Sequence, residues 1–328
     1  MVKVSVVVPV YNVEKYITRS LLSLFNQTLD NIEIIIINDG STDNSLSIVK
    51  NMIKNHSKDD TTITLISREN KGLVATRAEG ISIATGDYII HLDSDDWVEP
   101  NWLELMYEMA CKDNSDIVMC DYTEIYKNKD IRFYKEYYPS KQENINSLLL
   151  GRISNSVCDK LIKRSILTDN NIIFDKNIAM GEDIIYTLQT FFYSNKISYV
   201  PSSLYYYNKL NEGSLTYNYS QKSLTDIIHV IEIMEDFLRK NNYINNVEKS
   251  LCRFKLKIRA QYIVRANNDY NNFLKAMNLY PEANYLINTP ETSKILRIMY
   301  SINKLNNIYL NKLFLHLYSY YLKSKGFK

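Results

Sequence analysis

Apolar positions in the first hundred residues alternate between two rhythms. Val4 to Val8 is a near-continuous apolar run closed by Pro9, and Ile32 to Ile37 is another, closed by Asn38-Asp39-Gly40. Ile63 to Ile66 is a third and Tyr88 to Leu92 a fourth, ending at Asp93. Strands apolar on both faces are buried on both faces, which predicts a mostly parallel sheet covered by helices. Helical spacing fills the gaps. Val13 to Phe25 places Ile17, Leu21, Leu24 and Phe25 on one face, Asn44 to Ile53 follows Asp43 as an N-cap, and Leu73 to Ala84 closes near Gly86. The alternation predicts a doubly wound α/β domain, in which ligands bind beyond the carboxyl ends of the strands. The polar clusters Tyr11-Asn12, Asp39-Gly40-Ser41 and Asp93-Ser94-Asp95-Asp96 fall at those ends.

After Asp116-Ile117-Val118-Met119-Cys120 the pattern is mixed as far as Thr216. Beyond Tyr219 it is helical, with Ile227, Ile228, Val230, Ile231, Ile233 and Met234 in register and a turn expected at Asn242 to Asn246. The expected division is a catalytic domain at 1–216, made of halves 1–96 and 97–216, and a helical C-terminal region at 217–328. A chain of 328 residues has room for both. A net charge of +2 argues against a nucleic-acid partner. Cys111, Cys120, Cys158 and Cys252 lack zinc-ligand spacing and read as reduced thiols. The first residues enter a strand without a signal-peptide layout, and no uncharged apolar run reaches the ~18 residues of a membrane span. A cytoplasmic location is expected, including the inner face of the cell membrane.

Asp93-Ser94-Asp95-Asp96 carries the strongest chemistry. Three carboxylates within four residues repel one another unless a cation neutralises them. A hard divalent ion held by one or two of them, with diphosphate oxygens and waters, fits that loop; an Asp-rich helix cap is the plain alternative. Asp39 can accept from a base imide, or make an Asx-turn. Pro9-Val10-Tyr11-Asn12 can offer backbone groups to a base edge and a ring to its face. No G-x-G-x-x-G or Walker lysine stands at this turn, against dinucleotide and P-loop readings. Trp97 can face a sugar ring or pack, whereas Trp102 and His91 are expected to pack.

Pro9-Val10-Tyr11-Asn12, Asn38-Asp39-Gly40-Ser41-Thr42-Asp43, Asn70-Lys71-Gly72, Ala75-Thr76-Arg77, Gly86-Asp87-Tyr88 and Asp93-Ser94-Asp95-Asp96 together closely resemble the family 2 glycosyltransferases of GT-A fold. The resemblance spans about the first two-thirds of the chain. It implies an inverting transfer from a UDP-sugar, with Asp39 on the uracil and Arg77 near the base or diphosphate. It further implies Asp93 and Ser94 beside the sugar nucleotide, and Asp95 leading a Mn2+ or Mg2+ site shared with Asp93. Met180-Gly181-Glu182-Asp183 resembles the family's Glu-Asp pair, which implies Asp183, beside Glu182, as general base. The chain departs from the family at Ala78, where Asn is usual, at Cys158, where a bulky residue is usual, and at Asn208 in Tyr205-Tyr206-Tyr207-Asn208, where Arg is usual. Gly213-Ser214-Leu215-Thr216 resembles the family's closing stretch.

From Ser293 to Lys328 there is no Asp or Glu, while Lys294, Arg297, Lys304, Lys312, Lys323, Lys325 and Lys328 alternate with apolar and tyrosine positions. Such a helix can lie on an anionic membrane, pair with a second copy in a homodimer, or pack on its own domain. The acceptor expected is a glycan or lipid-linked glycan in bacterial polysaccharide or glycoconjugate assembly. The rival readings are a polyprenyl-phosphate glycosyltransferase, a sugar-1-phosphate nucleotidyltransferase and a non-catalytic nucleotide-sugar binder.

Overall fold

The computed structural model describes residues 1–56, 60–134, 136–175, 178, 181–211, 213, 221–265, 269–305 and 307–324. Met180, Ser214, Leu215, Thr216, Lys325 and Lys328 therefore lie outside the described residues, as does the side chain of Lys323. The chain forms two compact units, Met1–Asp226 and Ile227–Lys328.

The first unit is built on a nine-stranded sheet. Its strands are β1 (Val4–Val10), β2 (Ile32–Asp39), β3 (Thr61–Arg68), β4 (Tyr88–His91), β5 (Trp97–Val98), β6 (Ile117–Ile125), β7 (Asp130–Phe133), β8 (Lys160–Lys163) and β9 (Ile197–Asn208). The order is β3-β2-β1-β4-β8-β6-β9-β5, with β7 paired to β6. The apolar runs form the parallel part, β3-β2-β1-β4. Beyond it the sheet is mixed, since β8 runs antiparallel to both β4 and β6 while β6 and β9 are parallel. That reversal brings the second half of the chain alongside the strand that ends at the acidic loop.

The helices of this unit are α1 (Ile17–Phe25), α2 (Ser45–Lys54), α3 (Leu73–Ile83), α4 (Trp102–Asp113), α5 (Lys141–Leu150), α6 (Arg164–Asp169) and α7 (Glu182–Tyr193). Helix α1 starts four residues later than the apolar spacing predicts, because Asn12 has φ 51° and the Val13 carbonyl accepts from Tyr16 and Ile17 in a preceding turn. Asp43 accepts from the Ser45 N–H at 2.9 Å, so it satisfies the start of α2 from one residue outside the cap. Gly86 does not cap α3. Its N–H donates to Ser5 Oγ, which in turn donates to the buried Glu33, joining the entry to β4 with β1 and β2.

Helix α3 lies close on β1 because residue 80 is glycine: a Cβ there would sit 2.3 Å from Val7 Cγ1. Gly80→Ala is expected to lower stability by about 1–3 kcal/mol through overpacking. Urea melts in a Val7→Ala background check this, since the same change should be much milder there.

The second unit begins within α8 (Gln221–Lys240) and continues through α9 (Ile244–Arg265), α10 (Tyr270–Met277), a 3-10 turn at Pro281–Leu286, α11 (Lys294–Lys304) and α12 (Ile308–Ser324). The expected turn contracts to residues 241–243, where Asn242 takes φ 54°. Arg259, fully buried, donates to Asn284 Oδ1 at 2.7 Å and to the carbonyls of Leu279 and Tyr280, satisfying a turn that the apolar core could not.

Candidate active site

Two loops at the carboxyl ends of β1 and β2 are laced into one wall. Asn12 donates its N–H to Ser41 Oγ, and its side-chain oxygen accepts from the Thr42 N–H at 2.8 Å. The Val13 N–H donates to Ser45 Oγ and the Glu14 N–H to Asp43 Oδ2. Pro9 and Val10 end β1 in register with Ile37 and Asn38 of β2. Tyr11, half-exposed, leaves its ring open beside this wall. The Asn12 side chain is thus occupied in holding the loop.

Asp39 is 3% exposed and its carboxylate is heavily engaged. Oδ1 accepts from the Lys71 N–H at 2.8 Å and from Arg68, and Oδ2 accepts from the Gly72 N–H at 2.8 Å. A carboxylate just before the start of α3 is stabilised by the helix dipole as well as by these donors. Gly40, at φ 72°, allows the approach, since a Cβ there would lie 2.7 Å from the Asn70 nitrogen. Arg68 is fixed further by Glu79 at 2.7 Å and Thr76 at 3.1 Å. The sequence pattern gave no sign of Arg68, because strand ends often carry a charged residue.

Arg77, on α3, joins the acidic loop to helix α7. Its Nη2 donates to Asp93 Oδ1 at 2.8 Å, its Nη1 donates to Asp183 Oδ1 at 2.7 Å, and Glu182 lies 3.6 Å from Nη1. The guanidinium is 3% exposed, and the three carboxylates keep it charged against burial. Asp183 stands in the first turn of α7 behind Gly181, which caps the helix at φ 90°. Burial pushes the Asp183 carboxyl up and Arg77 opposes it, with the net position raised. Burial, then the charge of Asp183, pushes Glu182 up to about 7.

The acidic loop is divided. Asp96 turns into the protein, where Oδ1 accepts from the Asn208 N–H at 2.8 Å and Oδ2 accepts from the Tyr205 hydroxyl. Burial and then the charges of Asp95 and Asp93 raise its carboxyl well above the ordinary range. Asp93 and Asp95 stay partly exposed, with Ser94 buried between them. Asp95 Oδ2 accepts from Asn211 Nδ2 at 2.7 Å, and the Asp95 carbonyl accepts from Asn208 Nδ2 at 3.1 Å. Asn208 therefore fastens the loop instead of presenting a cation to a ligand. Burial and the neighbouring Asp93 charge raise Asp95.

Asp93 Oδ2 and Asp95 Oδ1 accept no side-chain hydrogen bond from another described residue. Two partly exposed carboxylates, each with an oxygen to spare and the charge of one raising the pKa of the other, fit a divalent ion. Among the described residues no cluster of three or more His, Cys, Asp or Glu is placed to hold a metal alone.

Trp97 is stacked with Tyr206 at 5.3 Å between centroids, and the Arg19 guanidinium lies 3.3 Å from its ring centre. Both contacts use aromatic surface that an acceptor sugar would need. Trp102 is fully buried. His91 sits edge-on to Phe174 and Tyr186, and burial holds it well below the ordinary histidine range, hence neutral. Asp159-Lys160 precedes α7 in a supporting role: the buried Lys160 ammonium donates to the Ser154 and Ser156 carbonyls and to Asp159. The Asn155 carbonyl in turn accepts from Thr187 of α7.

The model of glycosyl transferase family 2 matches residues 5–170, half of the chain. The chain belongs to that family. This family 2 glycosyltransferase is 35% identical over 258 residues to the putative glycosyltransferase EpsH of Bacillus subtilis, covering 76% of this chain and 73% of the relative. Its fold is shared with S. aureus TarS 1-349 in complex with UDP-GlcNAc, at TM-score 0.71, 20% identity, and coverage of 96% of this chain and 91% of the other. The mannosyltransferase PcManGT from Pyrobaculum calidifontis, in complex with GDP-Man and Mn2+, aligns at TM-score 0.55 and 15% identity over 98% of this chain and 86% of that one. The architecture is the mixed α/β GT-A type. The match ends at residue 170, before Asp183 and Asn208.

Proposed function

We propose that this glycosyltransferase moves a sugar, a hexose or a close relative, from a UDP-sugar to a glycan acceptor by inverting single displacement, in the assembly of a bacterial surface polysaccharide or glycoconjugate. The observation that carries the reading is the Arg77 bridge, which puts the acidic loop and Asp183 one guanidinium apart. UDP-GlcNAc bound to TarS supports the donor class, and Mn2+ bound to PcManGT supports a metal.

In this reading the laced loops and Tyr11 form the base wall. Asp39 Oδ2 keeps one lone pair for the uracil imide, since only Gly72 engages that oxygen among the described residues. Asp93 and Asp95 would hold the divalent ion, which offsets charge on the departing diphosphate. Asp183 takes the proton of the acceptor hydroxyl as its oxygen bonds to the anomeric carbon and the bond from that carbon to UDP breaks. Arg77 keeps Asp183 oriented, and Glu182 at about 7 shares the local proton balance.

Thermal stabilisation by UDP, GDP, dTDP and CDP, each with and without Mn2+, tests the donor. UDP with Mn2+ is expected to raise the melting temperature of the wild type, because a ligand that binds only the folded state stabilises it. In Asp95→Ala the metal-dependent part of that rise should vanish while the fold stays intact. A preference for another nucleotide would overturn the UDP assignment, and no response to any of them would overturn the donor site.

A further inference from the structure

The segment from Ser293 to Lys328 carries no carboxylate and seven lysine or arginine residues, and the structure sorts its apolar positions into two sets. Leu296, Met299 and Leu315 enter the core of the second unit with Leu256, Phe273 and Met277. The opposite side of α12 stays bare: Tyr309, Leu313, Leu317 and Tyr320 are 81%, 56%, 58% and 74% exposed. Their spacing of four, four and three residues puts them on one helical stripe. Leu305, 66% exposed, adds to this surface at the turn before α12. A soluble monomer rarely leaves so long an apolar stripe in water. Lys304 at the end of α11 and Lys312 in α12 are exposed on either side of that turn, their ammonium groups 5.0 Å from the Tyr300 ring and 5.4 Å from the Tyr270 ring.

We propose that this face of α12 lies flat on an anionic lipid bilayer, the leucines in the acyl boundary, the tyrosines at headgroup depth and the lysines on lipid phosphates. Charge selects this occupant. A second copy would bring the same lysines together with no carboxylate in the segment to pair them, whereas an anionic leaflet supplies the missing charge. Among the described residues no helix is long and apolar enough to cross a membrane, so the contact is lateral. Such a contact sets where the enzyme works and depends on neither the donor nor the metal.

Flotation of the 328-residue chain with vesicles tests it. Binding is expected to vesicles containing about one-third phosphatidylglycerol, to be weak on pure phosphatidylcholine, and to fall steeply at roughly 0.5 M salt. Leu313→Ser/Leu317→Ser should weaken binding at least tenfold, and Lys304→Gln/Lys312→Gln by roughly fivefold per lysine removed. Circular dichroism and melting temperature confirm that both variants fold. Equal binding by the wild type and the serine variant would overturn the proposal, as would no vesicle binding at all. A wild-type dimer in light scattering that the serine variant converts to a monomer would assign the face to a second copy instead.

Discussion

Asp183→Asn is expected to lower the rate of sugar transfer by about 10²- to 10⁴-fold, the range that general-base catalysis supplies, while leaving UDP-dependent thermal stabilisation in place. The amide keeps the shape of the carboxyl group and can still accept from Arg77 through its oxygen, so the helix start and the acidic loop should hold their geometry. What it cannot do is take a proton. The pH profile gives an independent check. The Asp183 carboxyl is raised above the ordinary aspartate range by burial. A base works only when deprotonated, so kcat/KM of the wild type should rise with pH through that elevated value and then level off. The residual activity of the variant should lose that acid limb. A variant that keeps full turnover would remove Asp183 from the chemistry, and one that loses UDP binding as well would give it a structural role.

Arg77→Met should cause the largest loss of stability of any single change at the site. It keeps most of the side-chain volume and removes the one charge shared by Asp93, Asp183 and Glu182. Removing one member of a fully buried ion pair costs about 3–5 kcal/mol. With Asp93 and Asp183 35% and 25% exposed, solvent screens part of that, and the cost should be about 2–3 kcal/mol. At a few degrees per kcal/mol the melting temperature should fall by roughly 4–12 °C. The pH dependence identifies the cause. Glu182 already binds its proton more tightly folded than unfolded, at about 7. A raised carboxyl pKa stabilises the fold at low pH and loses that contribution as pH rises through the folded value. Without Arg77 the carboxylates repel more strongly, so the deficit should be widest above pH 7 and should shrink on acidification through about 7 to 5. A deficit independent of pH would point to lost packing.

The parallel half of the sheet was legible in the sequence because β1, β2 and β4 are nearly unbroken apolar runs, and only burial on both faces produces those. The mixed half was not, since β6 is buried throughout only at Ile117–Asp121, β9 mixes buried, half-buried and exposed positions with no fixed period, and β8 carries a fully buried lysine. The loops named as candidates do end adjacent strands. Their partners were hidden by distance along the chain: Arg68 lies 29 residues from Asp39, and Asp183 lies 106 residues from Arg77. Asn208 shows a further limit. In sequence it is a missing arginine, whereas in space its N–H and amide fasten the acidic loop. Local spacing carries no trace of an attachment made across more than a hundred residues.

That attachment has a consequence for synthesis of the protein. Asp93, Asp95 and Asp96 leave the ribosome long before Tyr205, Asn208 and Asn211, which hold the loop in shape, and before Asp183, which faces it across Arg77. A nascent chain can pair β1 to β4 before β6 to β9 emerge, because all four strands lie before residue 92. Until β9 emerges, however, Asp96 has neither the Asn208 N–H nor the Tyr205 hydroxyl to draw it inward. The acidic loop thus takes its observed shape only after β9 has been made.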